Sequence, residues 1–317
     1  MNGFNLKKIK IVLNWQICHY LILIKICMPS YLVTGAEGQL GKCFNKVANE
    51  FPIHKLIFAS KNKVDITRPK TLKIFFDDHP LDGIINCAAY TQVDQAEESP
   101  EKAYQINVDG IKNLIAFAEE KTLSIVNFST DYIFDGTSKS NYLEDHIPNP
   151  LNVYGKTKYK AEILLKNAKC INTTFRISWM FSPFGSNFVK TVLDNINKKR
   201  KLSVVDDQKG RLTYGIDLAR VVLSNIDQNH FFDYDCYNYA LMGETTWFDL
   251  AKEIKLIKNS NCEIIPCSSK QYFTRALRPK NSILDTSRIE NHLSLKILDW
   301  TNALDDCLKR IEGKNMI

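Results

Sequence analysis

The sequence lacks the cysteine and histidine clusters that build metal sites and disulfide frameworks. Its nine cysteines are scattered over 317 residues without a C-x-x-C pair, and the six histidines are isolated. The two closest cysteines, Cys262 and Cys267, have no histidine near them. Cys43 and Cys87 lie in apolar patterns, where a free thiol behaves as a small hydrophobe. We therefore predict no metal site and a reducing, cytoplasmic location.

Internal repeats, low-complexity linkers and blocks that suggest a nucleic-acid partner are also missing. The net charge of +7 comes from scattered lysines, and the basic run at 198–201 is typical of a solvated turn or helix end. A hydrophobic fraction of 44% and a charged fraction of 24% are ordinary for a globular protein. A chain of this length forms one large domain or two modest ones.

The first 27 residues lack the uninterrupted apolar run of a membrane span. Three lysines precede the mainly apolar segment Ile11–Cys27, but polar residues interrupt it and no small-residue cleavage site follows. Met28 stands three residues before the first predicted strand. We expect translation to begin at Met28 and residues 1–27 to be a dispensable, non-native extension, with a peripheral membrane anchor as the alternative.

The most informative stretch that is present is Tyr31–Gly41, YLVTGAEGQLG. Its first three residues predict a buried strand, three glycines follow with the spacing G-x-x-G-x-x-G, and a helical pattern begins next. This arrangement exposes a helix N-terminus to a pyrophosphate, because glycine allows close approach and backbone N–H groups face the anion. We predict a dinucleotide-binding loop at Gly35, Gly38 and Gly41.

Predicted strands and helices alternate from here to Trp179. Strands are predicted at 55–60, 83–87, 124–129 and 173–179, and helices at 69–78, 100–121 and 151–167. This alternation predicts an α/β fold, a Rossmann-type doubly wound parallel sheet occupying residues 28–178. The later pieces (helices at 188–197, 247–257 and 300–311, and a strand at 263–266) look too short and mixed to extend the sheet. They predict a smaller mixed α/β substrate-binding domain over 179–317, with some segments returning to the first domain.

A second chemical motif is the pair Tyr154 and Lys158. Four residues apart on a helix, they lie on one face. Beside a nicotinamide, the ammonium of Lys158 can lower the phenol pKa, so that Tyr154 gives a proton to a carbonyl as hydride arrives. Thr130 ends a predicted strand, where its hydroxyl can bond the same carbonyl oxygen. The three residues predict a catalytic group.

Glycine loop, strand-end threonine and Y-x-x-x-K, in this order, resemble the extended short-chain dehydrogenase/reductase superfamily. Within it, the chain from Met28 onward is similar to the dTDP-4-dehydrorhamnose reductase family. The matching segments are Val33–Gly41, Asp65–Thr67, Asn86–Glu97, Ser129–Gly136, Tyr154–Glu162, Arg176–Trp179, Asp207–Ala219 and Arg278–Asp285.

This resemblance implies reduction of the C4 keto group of dTDP-4-dehydro-6-deoxy-L-mannose by hydride from NAD(P)H, with Tyr154 as proton donor and Lys158 on the nicotinamide ribose. It implies a substrate site that includes Thr130, Asp131, Trp179, Asn187 and Arg278, the arginine suiting a diphosphate. The implied cofactor contacts, besides Tyr154 and Lys158, are Gly35, Gly38, Gln39, Leu40, Gly41, Ser60, Lys61, Asp65, Ile66, Ala88, Ala89 and Tyr90.

A missing carboxylate bears on the choice of cofactor. An acidic residue about 20 positions after the glycine loop selects NAD, because it binds the ribose hydroxyls and repels a 2′-phosphate. Here the second strand leads into Ser60, Lys61 and Lys63, and the resemblance places Asp65 nearer the adenine. We predict a preference for NADPH, with NADH remaining open.

Other functions remain open at this stage. Dehydratases of the superfamily carry Thr-Asp-Glu at the strand end, whereas Tyr132 follows Thr130 and Asp131 here, which favours simple reduction. A non-catalytic subunit similar to the regulatory β subunit of methionine adenosyltransferase is a second alternative. A homodimer, and no lasting attachment to a membrane, complete the expectations.

Overall fold

A six-stranded parallel sheet organises the computed structural model, which describes residues 28–228 and 230–313. The predicted extension, residues 1–27, lies outside the described residues. The strands of the sheet are β1 (Ser30–Thr34), β2 (Lys55–Phe58), β3 (Gly83–Asn86), β4 (Ser124–Thr130), β5 (Asn172–Ile177) and β10 (Cys236–Tyr239). Their order is β10-β5-β4-β3-β1-β2, and every neighbouring pair is parallel. The predicted Rossmann-type sheet is confirmed.

Helices cover both faces of this sheet because its central strands are apolar on both sides. The helices of this layer are α1 (Gln39–Val47), α2 (Pro69–Asp78), α3 (Val93–Glu98), α4 (Pro100–Tyr104), α5 (Gly110–Lys121), α6 (Val153–Lys166) and α8 (Gly215–Asn225). Leu32 of β1 packs toward α2 and α5, whereas its neighbour Val33 packs toward α1 and α8. The carboxyl ends of the strands meet at one edge, where such sheets bind ligands.

The helix predicted over 100–121 is present with these bounds and contains one irregular turn. Between α4 and α5, residues Gln105–Asp109 form a π-helical turn, which the spacing of apolar residues does not predict. Its buried Asn107 bonds to neighbouring segments, an arrangement that residue spacing does not reveal.

None of the later pieces predicted at 188–197, 247–257, 263–266 and 300–311 joins the sheet, but a strand that was not predicted does. The short strand β10 pairs with β5 and forms the sixth strand. Its sequence, CYNY, looks too polar for a buried strand, but the Asn238 amide donates to the Tyr142 carbonyl at 2.7 Å. In addition, α8 packs on α1, so two segments beyond residue 178 belong to the sheet layer.

The remaining elements lie outside the six-stranded sheet, in the part of the chain for which the sequence predicts a second domain. They are β6 (Met180–Phe181), α7 (Phe188–Ile196), β7 (Lys201–Val205), β8 (Lys209–Gly210), β9 (Thr213–Tyr214), β11 (Thr245–Thr246), α9 (Trp247–Ile257), β12 (Glu263–Cys267), α10 (Ser287–His292) and α11 (Trp300–Ile311). Strand β7 pairs in parallel with β12, β6 pairs in parallel with β9, and β8 pairs antiparallel with β11. We refer to this part of the chain as the second domain.

Within residues 28–228 and 230–313, no helix has the length and apolar character needed to cross a membrane.

Candidate active site

The glycine loop between β1 and α1 admits no larger side chain at two of its positions. Gly35 has a φ of +60°, and a Cβ there would lie 2.7 Å from the backbone nitrogen of Ala88. A Cβ on Gly41 would lie 2.4 Å from the Gly35 carbonyl oxygen. Gly38 is the N-cap of α1 and lines the cleft described below, and no side chain caps the N-terminal N–H groups of the helix. Gln39 and Leu40, the first residues of α1, line this cleft.

The turn after β2 lies against the glycine loop. The Ala36 N–H donates to the Ala59 carbonyl at 3.2 Å, and the Ser60 carbonyl accepts from two N–H groups of the turn. The side chains of Lys61 and Lys63 are exposed, and neither ammonium has a carboxylate within 4.0 Å in the described part of the chain. Two free cations therefore stand beside the predicted phosphate loop.

Asp65 and Ile66 follow in the same connection. Asp65 Oδ1 accepts from the Thr67 N–H at 3.0 Å and from its hydroxyl at 2.7 Å, so this oxygen serves its own turn. Ile66 is buried against Gly110 at the start of α5. Their proximity to an adenine remains a prediction.

The loop Ala88–Tyr90 is fixed by a residue that the sequence did not single out. Asn107 accepts from the Tyr90 N–H at 2.8 Å and donates to the Tyr90 carbonyl at 3.1 Å. The same amide donates to Thr157 on α6 at 3.0 Å. Asn107 thus joins the loop that the resemblance places beneath the cofactor to the helix that carries Tyr154. A buried asparagine within a helical pattern was the only signal for it.

A cleft of about 340 Å³ brings the predicted catalytic residues together. Thr130 ends β4, and Tyr154 and Lys158 lie on the first turns of α6. The N-cap of α6 is Asn152, whose side-chain oxygen accepts from the Gly155 N–H at 2.8 Å and fixes where the helix begins. Sheet and helix therefore deliver all three side chains to one space, with Asp131, Trp179 and Asn187 beside them.

Lys158 and Tyr154 differ in electrostatic environment. Lys158 donates to the Phe128 backbone carbonyl at 2.5 Å, and burial lowers its pKa to about 8. Burial raises the pKa of Tyr154, the Thr130 hydroxyl lowers it, and the Asp131 carboxylate raises it. The lowering of the Tyr154 pKa by Lys158 remains a prediction, since the ammonium here bonds to the backbone.

Asp131 is a buried carboxyl group at the cleft wall. Its Oδ1 accepts from the Thr130 hydroxyl at 3.1 Å, and the Tyr132 N–H donates to the same hydroxyl at 3.2 Å. Its Oδ2 has no hydrogen-bond partner among the described residues. Burial raises the pKa of Asp131 to about 7, although the Ser282 and Thr130 hydroxyls act in the opposite direction. A buried polar atom without a partner is costly unless a ligand or water satisfies it.

Trp179 lies between the cleft and the second domain in a strained conformation. Its φ of 44° is unusual for a bulky residue. The ring stacks on Trp247, with centroids 3.7 Å apart and planes within 9°, and Trp247 also contacts Phe188. The stack is larger than the sequence indicated, because Trp247 and Phe188 come from distant helices.

The two remaining predicted substrate residues are both engaged within the protein. Asn187 is the N-cap of α7, accepting from the Lys190 N–H at 3.2 Å, although it also lines the cleft. Arg278 forms a two-pronged ion pair with Asp94 of α3, at 2.6 and 3.2 Å. Its predicted contact with a diphosphate therefore competes with an existing partner.

A larger cavity of about 680 Å³ lies on the second domain, beyond the tryptophan stack. Aromatic, aliphatic and polar side chains line it, together with two lysines and an arginine. Tyr132 lines this cavity and packs edge-on against Tyr154, with ring centroids 6.1 Å apart, so it separates the two spaces. Sequence patterns missed this cavity, whose lining includes Tyr132, Phe188, Asn195, Lys199, Trp247 and Arg278.

The site fits a dinucleotide. The glycine loop packs so closely on the protein's own backbone that only glycine fits at Gly35 and Gly41, and two buried groups of β4, Ser129 Oγ and Asn127 Nδ2, have no hydrogen-bond partner among the described residues. Such orphaned polar groups are costly unless a ligand or water satisfies them. In the same described part, no group of three or more histidine, cysteine, aspartate or glutamate side chains could hold a metal ion.

Comparison with known proteins agrees with this geometry. A family model described as the RmlD substrate binding domain matches residues 29–312. A dTDP-4-dehydrorhamnose reductase of Aggregatibacter actinomycetemcomitans is 34% identical over 286 residues, which cover 87% of this chain and 97% of that protein. The dTDP-4-keto-6-deoxy-D-glucose reductase of Streptomyces niveus is 30% identical over 277 residues, covering 86% and 94%.

Solved structures agree as well. The dTDP-4-dehydrorhamnose reductase of Bacillus anthracis, in complex with NADP, has a TM-score of 0.85 at 32% identity and covers 89% of this chain and 99% of its own. A dTDP-4-dehydrorhamnose reductase from Clostridium acetobutylicum has a TM-score of 0.85 at 34% identity, with the same coverage.

Proposed function

Because the chain belongs to the RmlD substrate binding domain family, whose relatives above include dTDP-4-dehydrorhamnose reductases, we propose that it reduces the C4 keto group of dTDP-4-dehydro-6-deoxy-L-mannose to give dTDP-L-rhamnose. The observation that carries this proposal is the cleft that joins Thr130, Tyr154 and Lys158 beside the glycine loop. A reduced nicotinamide supplies the hydride when it is bound.

The side chains of the cleft have separate tasks in this proposal. Tyr154 gives its proton to the O4 oxygen as that atom becomes an alkoxide, and its raised pKa keeps the proton in place until then. Thr130 bonds the same oxygen and orients it. Lys158 provides positive charge next to the developing anion. Asp131 accepts a sugar hydroxyl through its free Oδ2, and Trp179 packs against the sugar ring.

The larger cavity suits the nucleotide end of the substrate. Its volume of about 680 Å³ lies within the range of small-molecule sites. The rings of Phe188 and Trp247 offer faces for a pyrimidine base, and Lys199 adds positive charge for a diphosphate. Since Tyr132 lines this cavity and contacts Tyr154, a bound nucleotide would direct its sugar toward the catalytic cleft.

NADPH is the cofactor that the site favours. Lys61 and Lys63 stand on the turn that bonds to the glycine loop, and that turn carries no carboxylate before Asp65. The relative from Bacillus anthracis was crystallised with NADP. Use of NADH remains the alternative.

We propose that the protein acts in the cytoplasm. The homodimer expected from the sequence remains a prediction. All seven cysteines in the described part of the chain are free thiols, which suits a reducing compartment. A purely regulatory role is disfavoured, since Thr130, Tyr154 and Lys158 share one cleft.

The deciding experiment supplies purified protein with NADPH and the 4-keto sugar nucleotide, and identifies the product. Oxidation of NADPH with formation of dTDP-L-rhamnose supports the proposal. Oxidation of NADPH with dTDP-4-keto-6-deoxy-D-glucose but not with the proposed substrate would indicate a different sugar reductase, an outcome that the similarity to the Streptomyces niveus enzyme makes worth testing. Absence of NADPH oxidation would contradict catalysis and favour a regulatory role.

A further inference from the structure

A segment of the second domain reaches across the sheet edge and binds the first domain. Asp94 of α3 receives three hydrogen bonds from it. The Ala276 N–H donates to Oδ1 at 3.0 Å, and Arg278 donates to Oδ1 at 3.2 Å and to Oδ2 at 2.6 Å. One turn further along α3, Glu98 forms an ion pair with Arg275. We call these five residues the clasp.

The geometry of the clasp is stronger than that of an ordinary surface ion pair. Arg278 engages the carboxylate with both arms, which makes the contact directional, and a backbone N–H adds a third bond. The Arg278 side chain is only 19% exposed. Its guanidinium holds the pKa of Asp94 below its usual range.

The clasp is connected to the catalytic helix and to the nucleotide cavity. Asn152, the N-cap of α6, donates to the Leu277 carbonyl at 2.8 Å. Arg278 lines the larger cavity next to Tyr132, whose ring contacts Tyr154 edge-on. The clasped segment therefore borders both the helix that carries Tyr154 and the cavity assigned to the nucleotide.

We propose that Asp94 and Arg278 are positioning residues that hold the second domain over the cleft. In this role Arg278 acts through Asp94, in place of the direct contact with a diphosphate that the sequence predicts. The clasp sets the separation between the nucleotide cavity and Tyr154, so the substrate binds in register with the proton donor. This inference rests on the proposed function only for its kinetic consequence.

The first experiment needs no substrate. The segment contains the tryptic sites Lys270 and Arg275, so cleavage there reports whether the clasp is closed. Asp94→Asn should accelerate cleavage at these sites by about tenfold, the equivalent of one lost charge-assisted contact. Glu50→Gln is the matched control, because it breaks another two-pronged pair, with Arg220, away from the cleft. If trypsin cleaves the parent and Asp94→Asn at equal rates, the proposal that the clasp holds this segment is wrong.

The second experiment is kinetic and separates the two roles of Arg278. If the clasp acts as proposed, Asp94→Asn and Arg278→Gln each raise KM for the keto sugar nucleotide by about tenfold, and the double variant is no worse than either. The charge swap Asp94→Arg with Arg278→Asp should recover part of the loss. If Arg278 instead contacts the diphosphate, Asp94→Asn leaves KM within about twofold of the parent while Arg278→Gln raises it.

The two experiments fail separately. Faster cleavage in Asp94→Asn together with an inactive parent would preserve the clasp and contradict the proposed reaction. If the parent is active and Asp94→Asn has the same cleavage rate and the same KM as the parent, the proposed reaction stands and the clasp is contradicted. The melting temperature of each variant, compared with that of Glu50→Gln, shows whether general destabilisation accounts for any change.

Discussion

Tyr154 is placed where it keeps its proton at neutral pH and can still release it to a substrate. Burial raises the pKa of Tyr154 because it disfavours the charged phenolate, whereas the hydrogen bond from Thr130 stabilises that ionised form. Lys158, with a pKa lowered to about 8, is mostly charged at pH 7. Tyr154 is therefore suited to donate its proton to a substrate oxygen as that oxygen becomes an alkoxide.

Replacing this donor is the most direct test at the residue scale. We expect Tyr154→Phe to lower kcat by on the order of 10²–10⁴, the usual size of a lost general acid, with little change in NADPH affinity. Steady-state kinetics and a fluorescence titration with NADPH measure the two effects. Tyr159→Phe, on the same helix but outside the cleft, is the control. A Tyr154→Phe enzyme within a few-fold of the parent would remove Tyr154 from the mechanism.

Asp131 gives a prediction about stability and pH. Its pKa is about 7 in the folded protein but near 3.8 in the unfolded chain, so the folded state binds the extra proton between these values. The free energy of unfolding should therefore fall as pH rises from about 4 to 7. Asp131→Asn removes this loss, and we expect it to be more stable than the parent at pH 8 by on the order of 2 kcal/mol, with little difference near pH 4.

Urea unfolding at pH 4.5 and pH 8 measures this difference. The control is Asp135→Asn, because hydrogen bonds from Thr137 lower the pKa of Asp135 to about 2. Its stabilising effect is present at neutral pH and is lost in acid, so the sign of the mutant effect should be opposite. A less stable Asp131→Asn at pH 8 would indicate that the carboxylate is satisfied in the folded state.

At the scale of elements, the sequence predicts best where local signals are complete. The helix bounds at 69–78, 247–257 and 300–311 match the structure, because each segment has a clear apolar face and a recognisable start. The π-helical turn and β10 were missed for a different reason. Asn107 and Asn238 are buried polar residues whose partners lie far away in the chain, so no local pattern indicates them.

The turn after β2 is the element that decides between cofactors. We expect kcat/KM for NADPH to exceed that for NADH, and Lys61→Ala to lower the ratio by about tenfold, because a charge on a 2′-phosphate would lose its partner. Lys70→Ala, on α2, is the control. Assays with both cofactors at fixed substrate measure the ratio.

A parent ratio below one would contradict the preference for NADPH. A ratio above one that survives both Lys61→Ala and Lys63→Ala would keep the preference and exclude these lysines as its cause.

At the scale of the whole molecule, the motifs predicted which residues share the cleft beside the glycine loop, but not what surrounds that cleft. Thr130, Tyr154 and Lys158 were predictable because each follows directly from a strand end or a helix spacing. The partnership of Asp94 and Arg278 was not, since it joins residues from different domains. The same holds for the stack of Trp179 and Trp247. Contacts between domains depend on how elements are assembled, which a single sequence does not encode locally.

The place of β10 in the sheet has a consequence for synthesis of the chain. When β5 leaves the ribosome, its outer edge is open, and the apolar face of α1 has no α8 to cover it. At typical translation rates of about 5–20 residues per second, these surfaces wait several seconds for their partners. An unpaired strand edge invites association with other chains during that interval. We therefore expect chaperones to bind these exposed surfaces of the nascent chain until residue 239 has emerged from the ribosome.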